Sequence, residues 1–297
     1  MRRPEDFTHH RAKLADLTLH YVREGKGEPL LLVHGWPGFW WEWHRVIGPL
    51  AEDFDVIVPD MRGFGDSEKP PLDRPDLFHM NHAVEDFRQL LDTLGIERAH
   101  VVGHDFGAVV AHKFMRRHPD RTGKVAIFNP IVPGFDELWL GPEHIHESWY
   151  NMFHALPMAA ELVGSSREAC RIYFRHFLSH WSHDRGLFDG EMLEIYVDNY
   201  MKTGNIEAGF NCYIPPEPWD DIDRTISDRE TLFLQGMADT CIPSKWSDLV
   251  TRWYTRFSME YVSDGGHFLM VEKPDLVVER LRGFLRAPTR LRSRSAS

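Results

Sequence analysis

The run Val101-Val102-Gly103-His104-Asp105-Phe106-Gly107-Ala108 constrains the fold of this 297-residue chain more than any other segment. An apolar strand enters a Gly-X-Asp-X-Gly turn, and a helix of small residues leaves it. Glycines on both sides of Asp105 suit a strained turn in which the strand and helix backbones pass closely. Such a turn holds one side chain up at the carboxyl end of a sheet. The Phe106 amide then lies at a helix N-terminus, aimed at negative charge. Serine is the usual occupant of this position. Aspartate there attacks carbon, and the resulting ester is open to hydrolysis. A helix N-cap is the plain alternative for Asp105, but it does not account for the flanking glycines.

The rest of the chain supplies a sheet for that turn. Leu17 to Val22 alternates as a strand. Pro29 to Val33, Val56 to Pro59, His100 to Val102 and Lys124 to Phe128 are short apolar runs, as expected of strands buried on both faces. Helical periodicity covers Trp41 to Ala51, Ala83 to Leu94 and Asp275 to Leu285. Strand alternating with helix predicts a mostly parallel sheet flanked by helices. The alternation breaks at 133–216, which is helical and rich in Trp, Tyr, Phe and His, then resumes at Leu232 to Leu234 and Met259 to Val262. The expected organisation is therefore a core of 1–132 and 217–286, a helical lid inserted at 133–216, and a disordered tail at 287–297. An extra helical layer unrelated to any pocket is the plainer reading of the insertion.

Composition narrows the partners. A formal charge of −11 argues against nucleic acid and anionic membranes. The three cysteines, Cys170, Cys212 and Cys241, lack metal-type spacing and leave one unpaired in any disulfide scheme, which suits a reducing cytoplasm. The first residues contain no apolar signal-peptide core, and no run approaches membrane-spanning length.

Three further motifs follow predicted strands. Gly236-Met237-Ala238-Asp239 offers a carboxylate that can orient an imidazole. Gly265-Gly266-His267-Phe268 offers that imidazole on a loop free to bend. His34-Gly35-Trp36-Pro37-Gly38 offers the Trp36 amide as a second oxyanion donor beside Phe106, and a cis Trp36–Pro37 bond would set its direction. Alone, Asp239 reads as a turn former and His267 as a surface or structural histidine. Together, in the order nucleophile, acid, base, they read as catalytic. His176 and His180 lie one helical turn apart near His183, but no metal motif accompanies them. Trp40, Trp41 and Trp43 read as core.

These motifs, with Asp60-Met61-Arg62-Gly63-Phe64-Gly65-Asp66-Ser67, resemble the epoxide hydrolase and dehalogenase branch of the α/β-hydrolases from about Leu17 to Leu285. The resemblance implies an α/β-hydrolase fold, with Asp105 as nucleophile, His267 as base, Asp239 as its acid, and Trp36 and Phe106 as oxyanion donors. Asp60 to Ser67 would build a loop beside the turn. Trp149-Tyr150-Asn151-Met152 and Gly209-Phe210-Asn211-Cys212-Tyr213 resemble the segments that carry the two lid tyrosines of epoxide hydrolases, which implies Tyr150 and Tyr213 as acids toward the epoxide oxygen. Tyr173, Tyr196 and Tyr200 read as packing.

Dehalogenase patterns fit less well. Phe106 stands where haloalkane dehalogenases carry a halide-binding Trp and fluoroacetate dehalogenases an Arg, and Asn129-Pro130 stands where the latter tend to place the acid. The expectation is hydrolysis of a small apolar epoxide to a vicinal diol, without cofactor or metal. A dehalogenase using the same aspartate and a non-catalytic binding protein are the alternatives, and a homodimer is left open.

Overall fold

The computed structural model describes residues 2–214 and 224–287. Eight strands form one sheet among these residues: β1 (His9–Lys13), β2 (Thr18–Glu24), β3 (Glu28–Val33), β4 (Phe54–Pro59), β5 (Ala99–His104), β6 (Thr122–Phe128), β7 (Thr231–Gly236) and β8 (Phe257–Val262). Their spatial order is β1-β2-β4-β3-β5-β6-β7-β8. β1 pairs antiparallel with β2, and β2 with β4; every later pairing is parallel. The central strands explain their composition. Leu30 to Val33 of β3 and all six residues of β4 are buried, because helices cover both faces.

Helices α1 (His44–Ala51), α2 (Met80–Thr93) and α3 (Phe106–Arg117) precede β6 and supply part of that cover. Between β6 and β7 lie α4 (Phe135–Trp139), α5 (Ile145–Ser148), α6 (Tyr150–His154), α7 (Pro157–Gly164), α8 (Arg167–His180), α9 (Glu191–Tyr200) and α10 (Asn205–Asn211). α11 (Leu269–Glu272) and α12 (Pro274–Arg286) close the described chain, with α12 packed on α1. The 216/217 boundary expected between insertion and core, and a tail from 288 onward, lie outside the described residues.

β1 is an element that hydrophobic periodicity does not reveal. His9-His10-Arg11-Ala12-Lys13 has one apolar residue, and only Ala12 of the five is buried. It is an edge strand, whose outward charges discourage pairing with other chains. Trp40, Trp41 and Trp43 are buried in the core, as expected. The Asp60–Ser67 loop is structural: Asp60 accepts hydrogen bonds from the amides of Trp40 (2.8 Å) and Asp66 (2.9 Å) and from His20 Nδ1 (2.7 Å).

β3 sits between β4 and β5, so the chain leaves β3 toward β4 on one side and then crosses back to β5 on the other. The loops after β3 and β5 are thereby brought side by side at the carboxyl edge, the place where open α/β sheets hold ligands. No helix among the described residues is long and apolar enough to cross a membrane.

Candidate active site

Asp105 joins β5 to α3 with φ +54° and ψ −120°, a conformation strained for any residue with a side chain. The turn closes only because its neighbours are glycines. A Cβ on Gly103 would lie 2.1 Å from the Gly107 carbonyl oxygen, and one on Gly107 would lie 2.2 Å from that of Val33. Asp105 Oδ1 accepts a hydrogen bond from the Trp36 amide at 2.8 Å, and the Phe106 amide also bonds the carboxylate. The Trp36–Pro37 bond is cis. Burial raises the Asp105 pKa above the ordinary value, against the opposing pull of His267, His104 and the two amides.

Two further loops converge on this carboxylate. Asp239 follows β7, where its Oδ1 accepts the amides of Cys241 (2.8 Å) and Ile242 (3.0 Å). Its Oδ2 accepts His267 Nδ1 at 2.9 Å and also the Asn129 carboxamide, which comes from the end of β6. His267 follows β8, and the two loops are in contact: a Cβ on Gly236 would lie 1.9 Å from the Gly266 carbonyl oxygen. His267 Nε2 lies 3.7 Å from Asp105 Oδ2, fully buried and without a hydrogen-bond partner. Burial acts to lower the His267 pKa, but Asp239, Asp105 and Glu42 outweigh it and hold it at about 8.

Aromatic rings from the helical insertion cover the carboxylate. Tyr150, at the start of α6, stacks on Trp36 at 5.5 Å and 12°. Tyr213, just after α10, meets Trp36 edge-on at 5.7 Å, Tyr150 at 5.6 Å and Phe106 at 5.0 Å. Burial pushes both phenols well above their ordinary pKa, and the nearby Asp105 charge adds to that. The Tyr150 hydroxyl has Cys241 Sγ at 3.5 Å.

A family model described as the alpha/beta hydrolase fold matches residues 28–274. The chain is also 30% identical over 301 residues to a soluble epoxide hydrolase of Corynebacterium sp. (strain C12), covering 96% of this chain and 99% of that one. The chain is an α/β-hydrolase. It belongs to the branch that holds epoxide hydrolases and dehalogenases. A fluoroacetate dehalogenase of Burkholderia sp. is 29% identical over 296 residues, covering 95% of this chain and 94% of that one. The solved structure of an epoxide hydrolase without ligand superposes with a TM-score of 0.81 at 29% identity, covering 94% and 98% of the two chains.

All seven site residues expected from the sequence of this hydrolase lie in one cluster: Asp105, His267, Asp239, Tyr150, Tyr213, Trp36 and Phe106. Four neighbours escaped the sequence reading. Glu42 and His104 form a fully buried pair at 2.9 Å, and the His104 ring lies 4.5 Å from that of His267. Asn129, at φ +48°, braces Asp239. Cys241 lies two residues past Asp239. His104 and Cys241 flank motif residues, and Asn129 stands at the alternative acid position that the sequence already marked; Glu42 sits in a tryptophan-rich segment that reads as core. Tyr196 is a buried packing residue; Tyr200, also buried, donates to the Pro37 carbonyl at 2.9 Å, and partly buried Tyr173 bonds His154 at 2.7 Å. His180 bonds Glu147 at 2.7 Å.

Proposed function

We propose that this α/β-hydrolase opens a small apolar epoxide to a vicinal diol through an ester on Asp105. The observation that carries the reading is the pair of protonated phenols, Tyr150 and Tyr213, packed together over a buried carboxylate. Epoxide opening creates an alkoxide, a poor leaving group that needs a proton donor. A phenol with a raised pKa stays protonated until that alkoxide forms.

In the first half-reaction, Asp105 Oδ2 attacks an epoxide carbon, the C–O bond breaks, and one phenol gives its proton to the oxygen. Oδ1 becomes the ester carbonyl oxygen, already held by the Trp36 amide, with the Phe106 amide also bonded to the same carboxyl group. In the second, His267 takes a proton from water, the hydroxide attacks the ester carbonyl carbon, and the intermediate expels the alkoxide, which takes the proton back from His267 and leaves as the diol. The proton released as Asp105 returns to carboxylate goes back to His267 and restores its resting charge. Charge times the base: in the resting protein the Asp105 anion helps keep His267 protonated up to about pH 8. Ester formation removes that anion, the His267 pKa falls, its proton passes to the phenolate left by the first step, and Nε2 becomes free to accept another. The helical insertion acts as a lid that excludes bulk water from this sequence.

A dehalogenase would use the same carboxylate, and the 29% identity to a fluoroacetate dehalogenase supports that second reading. Phe106, however, offers neither a halide donor nor a cation for a substrate carboxylate. A single turnover in heavy-oxygen water, followed by digestion, tests the mechanism. The expected result is label in the Asp105 side chain; diol without that label would overturn it. Diol formation from an epoxide panel against halide release from haloalkanes and haloacids decides the substrate class.

A further inference from the structure

We propose that Asp105, His267 and Cys241 together form an inhibitory site for a soft or borderline divalent cation, with zinc the best match. One carboxylate oxygen, one imidazole nitrogen and the thiol sulfur all lie within 4.8 Å of one another, on three buried residues. The nitrogen facing this space is Nε2, since Nδ1 is committed to Asp239. Nε2 is buried, has no hydrogen-bond partner, and already lies 3.7 Å from Asp105.

Donor chemistry selects the ion. Thiolate, imidazole and carboxylate form a mixed soft and hard set that suits zinc and disfavours magnesium and calcium. Tetrahedral zinc with ligands at about 2.0–2.3 Å needs donor separations of roughly 3.5 Å, so the Asp105–His267 pair nearly fits and the thiol must move by about an ångström. The Tyr150 hydroxyl holds the thiol through a long contact of 3.5 Å, a weak restraint that permits that shift. The surroundings favour a cation as well. Asp239 backs the imidazole as a carboxylate commonly backs a metal-bound histidine. Asp105, Asp239 and Glu42 also place three buried carboxylates around His267.

Binding forms a sulfur–metal bond, releases the thiol proton to solvent, and changes no oxidation state. Under the proposed function, it ties up the oxygen that attacks carbon and the nitrogen that accepts the proton from water. Only the inhibition rests on that reading; the binding does not.

The test uses the whole protein and cobalt(II) as the probe. One equivalent should give a thiolate-to-cobalt charge-transfer band that zinc displaces and that Cys241→Ser and Cys241→Ala abolish. Asp105→Asn, which leaves the thiol intact, should weaken binding by about tenfold or more, so the site remains testable even if a cysteine variant misfolds. In turnover assays zinc should inhibit, a chelator should restore activity, and magnesium or calcium should do neither. The proposal fails if the unaltered protein shows no band, or if Cys241→Ser binds zinc as tightly as the parent, which would put the ion on surface histidines. If no epoxide is turned over, the cobalt band still decides the site; if diol forms and no band appears, this proposal alone is lost.

Discussion

Glu42 is the residue through which the charge around His267 is best tested. It lies four positions after Gly38, and its carboxylate reaches back so far that a Cβ on Gly38 would sit 2.0 Å from Oε2. It accepts a hydrogen bond from His104 Nδ1 at 2.9 Å, and its negative charge helps raise the His267 pKa. Glu42→Gln should therefore lower the pKa governing decay of the Asp105 ester. Stopped-flow measurement of ester decay against pH checks this; an unmoved profile would show that the pair is only structural. In the proposed mechanism the phenols act in the other half-reaction. Replacing Tyr150 and Tyr213 together with Phe should slow ester formation by about 10²–10⁴-fold, the usual worth of a general acid. Rapid-quench mass spectrometry of the adduct reads it, and wild-type speed in the double variant would remove both tyrosines from the mechanism. His267→Gln should accumulate the ester, seen as a stable mass increase on the peptide containing Asp105.

Elements converge on the site through close backbone approaches that leave no room for a side chain. Gly236 at the end of β7 is the tightest, with the Gly266 carbonyl 1.9 Å from where its Cβ would be. Gly236→Ala should push apart the loops that carry Asp239 and His267. A stability loss of about 1–3 kcal/mol is expected, together with a larger loss of activity than the small fall in thermal midpoint explains. Calorimetry beside turnover at a temperature where the variant stays folded separates the two. The same loops show what sequence can reveal at this scale. Gly103, Asp105 and Gly107 were legible because the turn demands those residue types. β1 was not, because an edge strand with one buried side chain carries almost no hydrophobic pattern. Glu42 was not, because its partner His104 lies sixty-two positions away.

For the whole molecule, two buried histidines shape stability in opposite directions. Burial lowers the His44 pKa from 6.5 to about 4, whereas the carboxylates around His267 raise its pKa to about 8 despite burial. As pH falls from 6.5 through about 4, the unfolded chain binds a proton at position 44 that the folded one refuses, so stability is lost. His267 contributes fully below pH 6.5, and its contribution is lost as pH rises through about 8. That contribution is about 2 kcal/mol. The urea midpoint should therefore decline between pH 6.5 and 8.5, and His267→Gln should flatten this decline. An alkaline decline that survives in the variant would assign it to other groups.

Local composition determined much of this protein: which segments other than β1 are strands, that the sheet is mostly parallel, that a helical segment interrupts it, and which motifs end its strands. Those properties depend on residues near one another in the chain, where periodicity and turn chemistry act directly. Tertiary structure alone decided that Asn129 braces Asp239, that Glu42 and His104 lie against the base, and that Cys241 faces the nucleophile. Each of these is a contact between distant segments, set by which strands become neighbours and how closely their loops can pass.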